Sequence, residues 1–401
     1  MTLAAFYDRL RLDARLAQEA GFNPYYRHLQ SGLNDPVRLD GREFLNLAAN
    51  DYLGLAADPR VGRAIAAAVA RYGASLCGTP IATGCVDLLR ALEQRLAAFV
   101  GLEDGVVLPS CYQANNGLFS AVAGKEDVIL IDHYAHSSLI EGAKAVGCKI
   151  RPFLHNDVEH LASLLGKVRG HRQAFVVTES VFSTEGSIAP LAAMVEVCER
   201  FGAVPVVDDS HGIGVLGANG RGVLEHFGLT DFPGIYTASL GKALANAGGL
   251  IAGRRSLIEH LRYFCPHLIY STALPPGVAA GVEAVLDILA AEFPARRRLL
   301  WEHRDTLRRG LTAAGFTVMA GEAPINSVLA GSAVQTLRLA RAFYEAGLLT
   351  TPFVYPSVPL SEGRVRLIAG AGLTLARVQA AVAALPAIAR AWQAAPSSGV
   401  A

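Results

Sequence analysis

Charge of a single sign is what this chain most plainly lacks. Thirty-six Lys and Arg stand against 35 Asp and Glu in 401 residues, a formal net charge of +1. No global field draws it to nucleic acid or to an anionic membrane. Cysteine is sparse as well. Cys77, Cys85, Cys111, Cys148, Cys198 and Cys265 are scattered without a C-x-x-C pair. That spacing argues against a disulfide framework and a zinc ribbon, and it predicts a reduced compartment with incidental thiols. Long apolar runs are also missing: PPGVAAGVEAVLDILAAEF carries Glu283, Asp287 and Glu292, so no membrane insertion is expected. The opening MTLAAFYDRLRLDARLAQEAG spreads charge where a signal peptide needs an apolar centre. A cytoplasmic location is the expectation. There is no internal repeat and no low-complexity segment.

What the chain does have is apolar material. Hydrophobic residues make up 52% and charged residues 18%, enough for a large core and more than one lobe. Residues 1–50 read as a helix, a turn at Asn23-Pro24 and a short strand pair near VRLDGREFLNLA. Helices follow from about Asp58 to Tyr72 and over DLLRALEQRLAAFVG, which ends at a glycine. The runs GVVLP, DVILID, KIRPFL, AFVVTES and VPVVDD then alternate with helical segments. They are nearly all apolar instead of alternating, which predicts strands buried on both faces of a mostly parallel sheet. After about Pro275 the pattern changes. Two helices, GVAAGVEAVLDILAAEF and RRRLLWEHRDTLRRGLTAAG, precede strands at FTVMA and NSVLA, a helix from about Ala333 to Ala346, the strand RVRLIAG and the helix TLARVQAAVAAL. The expected organisation is an N-terminal segment (1–50), a large α/β domain (51–275) and a smaller α+β domain (276–401). The tail AAPSSGVA is expected to fray.

Sheets of this kind place their chemistry in loops beyond the strand C-termini. VPVVDDSHG ends with Asp208 and His211, which can serve as a carboxylate and a donor in one cleft, or simply as a turn. A metal is not expected, because no second ligand cluster accompanies them. DHYAHSSLIEG sets His136, a flat ring, before a helix. GVVLPSCYQANNG opens a helix whose N–H groups at Cys111 and Tyr112 suit a phosphate. AFVVTESVFST carries Glu179 and Ser183 past its end. In YTASLGKALANAGG, Lys242 sits among small and apolar residues, a setting that depresses an amine's pKa and makes it a nucleophile. One ligand uses all of these groups. Pyridoxal phosphate needs an amine for its aldehyde, a carboxylate for its ring nitrogen, a donor for its phenolic oxygen, a stacking partner and a phosphate site.

VVDDSHGIGVLGANGRG, TASLGKALANAGG, DHYAHSSLIEG and IYSTALPP resemble the α-oxoamine synthases, within the fold type I pyridoxal-phosphate enzymes. The resemblance runs from about Asn46 to Ala384. It implies a large domain with a mostly parallel sheet and a small α+β C-terminal domain. It also implies roles for individual residues. Lys242 corresponds to the lysine that carries the cofactor, Asp208 to the partner of its ring nitrogen and His211 to the donor for its phenolic oxygen. His136 corresponds to the stacking histidine. Cys111, Tyr112 and Ser239 fall at the phosphate site, and Glu179 and Ser183 at further cofactor positions. Thr272 corresponds to a residue that reaches the phosphate from the other subunit, which implies a homodimer with shared active sites. Asn50 in ANDYLGL and Arg366 in RVRLIAG correspond to the pair that holds the amino-acid carboxylate, with Arg364 as the competing arginine. Two departures stand out. GAGLT lacks the histidine usual after the arginine strand, and Cys111 replaces a glycine.

The implied reaction is a decarboxylative Claisen condensation of alanine, glycine or serine with an acyl thioester, on coenzyme A or a carrier protein, giving an α-amino ketone. ANDYLGL, GVLGANGRG and STALPP lean toward the 8-amino-7-oxononanoate synthase branch, which joins alanine to a pimeloyl group. NPYYR and LCGT lean toward the 2-amino-3-ketobutyrate ligase and sphingolipid branches, and a secondary-metabolic synthase is a further alternative. An aminotransferase or aldolase of the same fold is a more distant reading; His211, where aminotransferases usually place a tyrosine, argues against it. A non-catalytic partner subunit would have lost Lys242.

Overall fold

The computed structural model describes residues 3–9, 15–33 and 35–394. All of the tail AAPSSGVA except Ala394 lies outside the described residues. Thirteen strands form three sheets. The N-terminal pair is β1 (Val37–Leu39) and β2 (Arg42–Asn46). The seven strands of the main sheet are β3 (Asp104–Leu108), β4 (Val128–Asp132), β5 (Lys149–Phe153), β6 (Ala174–Glu179), β7 (Val204–Asp208), β8 (Ile235–Ser239) and β9 (Gly249–Gly253). The last group is β10 (Asn326–Gly331), β11 (Leu348–Leu349), β12 (Thr351–Phe353) and β13 (Gly363–Leu367).

The main sheet runs β3-β9-β8-β7-β6-β4-β5. Only β9 is antiparallel to its neighbours, β3 and β8; the other pairs are parallel. The apolar runs are explained by burial on two sides. Val107, Val207 and Leu250 pack in one helix-covered cluster, while their chain neighbours Val106, Val206 and Ile251 pack in another. The central strands therefore have no solvent face on which to alternate, whereas β5, at the edge of the sheet, exposes Lys149 and Pro152, so KIRPFL, expected to be buried on both faces, is not. Because β9 is doubly reversed, the C-terminal ends of β3, β4, β6, β7 and β8 share one edge of the sheet.

The smaller unit pairs β10 with β13 and β12 with β13, all antiparallel. β11 pairs parallel with β2, and Leu45 and Leu47 share a core with Leu307, Val328, Phe343 and Val365. The N-terminal strands thus pack with the C-terminal residues. Where the sequence suggests two helices after Pro275, a single helix runs from Pro276 to Ala313 through Pro294. Its first half contributes Val282, Leu289 and Phe293 to the core of the large unit, and its second half contributes Leu307 and Leu311 to the core of the small one. FTVMA is not a strand: Val318 makes one isolated bridge to Val328. None of the helices among the described residues is long and apolar enough to cross a membrane, and those residues hold no group of three potential metal ligands.

Candidate active site

A cavity of about 830 Å³ opens at the shared sheet edge. Eleven of the twelve residues singled out in the sequence line it: Asn50, Cys111, Tyr112, His136, Glu179, Ser183, Asp208, His211, Ser239, Lys242 and Arg366. The twelfth, Thr272, is exposed and lies outside the lining. Its neighbour Ser271 accepts a hydrogen bond from Gln113 Nε2 at 3.4 Å, next to the cavity's helix.

Register sets the floor. Asp208 at the end of β7 pairs with Glu179 on β6 and with Thr237 on β8. Its carboxylate accepts from Ser210 N at 2.9 Å and from Asn115 Nδ2 at 2.7 Å. Asn115 is a hub. Its other contacts are Nδ2 to Ser138 Oγ at 2.9 Å and Oδ1 from Thr237 Oγ1 at 2.8 Å. Ser138 N donates to His136 Nδ1 at 3.3 Å, so Nδ1 is an acceptor and the ring proton sits on Nε2. The Ser138 hydroxyl lies 2.8 Å from the same nitrogen. His136 caps the helix Ser137–Val146 through this contact, and its own N–H donates to Glu179 Oε1 at 2.7 Å. Asn115 and Ser138 thus tie the carboxylate at Asp208 to the ring at His136.

His211 Nδ1 lies 2.8 Å from the Tyr52 hydroxyl, itself buried. With that hydroxyl donating, the ring proton is on Nε2. Burial, then the positive field of Lys242, holds His211 well below its ordinary pKa, and burial lowers His136 too. Both are neutral near pH 7. Burial, reinforced by Asp208, pushes the Glu179 carboxyl well above the usual range.

Lys242 lies in the loop Leu240–Gly248 that joins β8 to β9. Leu240 N to Gly248 O (2.9 Å) and Asn246 N to Leu240 O (3.0 Å) close this loop. No hydrogen bond or ion pair holds its Nζ among the described residues, and burial lowers its pKa. Small residues surround it because the backbone is crowded. A Cβ on Gly214 would stand 2.7 Å from Ala243 Cβ, and one on Gly249 would stand 2.5 Å from Cys111 Cα. The second approach packs the start of β9 against the helix Cys111–Val122. Ser110 caps that helix by accepting from Gln113 N at 3.1 Å, leaving the N–H groups of Cys111 and Tyr112 without intrahelical partners. The Cys111 thiol lies 3.3 Å from Ser210 Oγ, and burial and Asp208 raise its pKa.

Arg366 and Arg364 alternate on β13 and so point to one face. Arg366 donates Nη1 to Ser183 O at 3.0 Å and stacks on Phe353 at 5.0 Å. Arg364 is committed to Glu185 at 3.4 Å and Glu362 at 3.1 Å. Asn50 Oδ1 is buried and without a partner. The residues fit pyridoxal phosphate: an amine without a partner among the described residues, a fixed carboxylate, two neutral imidazoles and a helix start for an anion.

Sequence reasoning missed Asn115 and Tyr52. Asn115 carried a signal, a polar residue four after Cys111 on an otherwise apolar helix face. Tyr52 carried none.

The family described as aminotransferase class I and II matches residues 42–385. The chain is 36% identical over 374 residues to an 8-amino-7-oxononanoate synthase of Symbiobacterium thermophilum, covering 93% of this chain and 95% of that protein. It is 34% identical over 383 residues to the 2-amino-3-ketobutyrate coenzyme A ligase of Escherichia coli, covering 94% and 96%. A solved serine palmitoyltransferase of S. paucimobilis with bound PLP superimposes with a TM-score of 0.93 at 27% identity, covering 98% of this chain and all of that one.

Proposed function

The chain belongs to the class I and II aminotransferase family and within it to the α-oxoamine synthases, pyridoxal-phosphate-dependent acyltransferases, and we propose that it joins a small amino acid to an acyl thioester. A carbon–carbon bond forms between the amino acid's α-carbon and the acyl carbon, and the thiol and carbon dioxide leave. Alanine, glycine and serine are the candidate amino acids. ANDYLGL and the synthase relative favour alanine; the ligase relative and the serine palmitoyltransferase keep the other two in place.

Bound in the cavity, pyridoxal phosphate supplies an electron sink for negative charge at the amino acid's α-carbon. Lys242 Nζ would hold the cofactor's carbonyl carbon and is the group placed to take a proton from the amino acid's α-carbon. Burial shifts Lys242 toward the neutral amine that a nucleophile and a base need. Asp208, fixed by Ser210 N and Asn115, holds the proton on the ring nitrogen. His211 offers Nε2–H to the phenolic oxygen, and His136 supplies a flat neutral ring. Cys111 N, Tyr112 N and the Ser239 hydroxyl take the phosphate, and Glu179 and Ser183 complete the pocket. Arg366 and Asn50 hold the amino-acid carboxylate. Thr272 reaches the phosphate of a second copy in a homodimer. Its exposure, with Tyr270 at 84% and Tyr112 at 48% exposed, supports that reading.

The observation that carries the proposal is the unpaired Lys242 amine in one cavity with Asp208 and Arg366. The test is the absorbance of the purified protein with pyridoxal phosphate, titrated with alanine, glycine and serine and then with an acyl thioester. One amino acid should shift the cofactor band, and thiol release should require both substrates. Lys242→Ala should abolish turnover with the fold intact. Substantial turnover in that variant overturns the assignment, and formation of a keto acid from the amino acid would favour an aminotransferase.

A further inference from the structure

The acyl side of the cavity has a character of its own. Beside Arg366 the lining includes Phe353, on which the guanidinium stacks. It continues along the segment Tyr355, Pro356, Ser357, Val358 and Pro359, in which Ser357 is the one residue without an aromatic or aliphatic side chain. Tyr355 is 63% exposed and Val358 only 4%, so this wall runs from solvent inward. Tyr134 and Phe182 line the same cavity. They are braced from behind by His155, which stacks on Tyr134 at 4.6 Å and meets Phe182 edge-on at 4.3 Å. His155 is itself fixed, with Nδ1 3.1 Å from Asp132 and Nε2 3.0 Å from Ser187 Oγ. An aromatic wall held this firmly is a preformed apolar surface.

The charges near it are as telling. Three Lys or Arg side chains line the cavity among the described residues: Lys242, Arg364 and Arg366. Lys242 and Arg366 are assigned to the reacting centre. Arg364 is 1% exposed and faces two carboxylates, Glu185 and Glu362. Glu362, 46% exposed, adds negative charge where β13 begins. A carboxylate at the far end of an acyl chain would leave water for aromatic and proline side chains, with no free lysine or arginine to receive it.

We propose that the acyl donor is a thioester whose chain carries no terminal charge, an alkanoyl or arylalkanoyl group seated on the Phe353–Pro359 and Tyr134–Phe182 walls. This rests on the condensation reading above and sets the pimeloyl donor suggested by the sequence motifs against an uncharged one. Two pairs of donors of equal length isolate the charge: heptanoyl-CoA with pimeloyl-CoA, and butyryl-CoA with succinyl-CoA. Their dissociation constants are measured by calorimetry on the holoenzyme without amino acid. The uncharged member of each pair should bind at least tenfold more tightly, and Tyr355→Arg should narrow the gap for the longer pair. Equal affinities, or a preference for the carboxylate-tipped donors, overturn the proposal. Thiol release with alanine, glycine or serine is then followed with the same four donors. No release from any donor, with the binding preference intact, defeats the condensation reading and leaves the apolar subsite standing.

Discussion

Arg364 and Arg366 stand two residues apart on β13, on the same face, at 1% and 5% exposure. Their surroundings separate them. Arg364 is held between Glu185 and Glu362. Arg366 has a single carbonyl, Ser183 O, and the face of Phe353. A buried guanidinium with two carboxylates is complete. One with a carbonyl and a ring keeps its charge available to whatever enters the cavity. The same division runs through the rest of the site. Asp208, Asn115, Ser138 and His136 partner one another, whereas among the described residues Lys242 Nζ and Asn50 Oδ1 have no partner. On the proposed reading, the open groups within the cavity receive substrate and cofactor, and the closed ones hold their neighbours in place.

The largest test removes the open arginine. Arg366→Leu should lower kcat/KM for the amino acid by roughly a thousandfold, about 4 kcal/mol of lost charge-assisted contact. The melting temperature should barely move, since no ion pair is broken. Arg364→Leu should do the reverse. It removes the arginine facing the buried Glu185, leaving that carboxylate the hydroxyls of Thr184 and Ser187 and the ring of His155, and should cost about 3 kcal/mol of stability in denaturant melts, with kcat per folded molecule within a few-fold of normal. Adding Glu185→Gln should return part of that loss. Equal kinetic damage from both arginine variants would erase the distinction between them.

Asn115→Leu extends the comparison to a neutral group. It strips donors from Asp208 and Ser138 and should cost about 2 kcal/mol. Its signature should be a weaker hold on the ring-nitrogen proton, read as a shift in the pH profile of the cofactor's absorbance that a merely structural residue would not cause. The smallest effect is acid sensitivity. His211 and His136 are neutral when folded, with pKa values below the ordinary 6.5. The unfolded chain binds the extra protons, so their contribution is full above about pH 6.5 and falls as pH drops. The slope is at most about 1.4 kcal/mol per pH unit for each histidine. His211→Gln should flatten the acid limb of the stability curve without changing its alkaline side.

How much of this was legible in the sequence depended on locality. Runs such as DVILID and VPVVDD read as doubly buried strands because their central residues are apolar one after another. The C-terminal strand ends then pointed to Asp208, Glu179, His136 and Lys242. β8 and β9 were harder to see, since YTAS and GLIAG are built of small residues that serve close packing. Pro294 suggested a break that the helix does not make, because packing on both sides carries it through. FTVMA has strand composition but only one bridging partner. The choice between Arg364 and Arg366 was open, because what separates them is Glu185, 179 residues away in the chain. Asn115 and Tyr52 act through partners equally remote in sequence.

The reversed strand β9 has one more consequence, for the order in which the protein takes shape as it is synthesised. β9 lies between β3 and β8, so β3, made early, has no place in the main sheet until residues 249–253 have emerged. The helix start at Cys111 waits with it, because Gly249 is what it rests against. The backbone part of the proposed anion site, at Cys111 and Tyr112, is therefore among the later features to appear, although those two residues are made in the first third of the chain. The long loop that must close between β3 and β9 makes that step costly in entropy and slow. Nascent chains stalled before Gly249 would carry Asp208 and Lys242 with the helix start at Cys111 still unsupported.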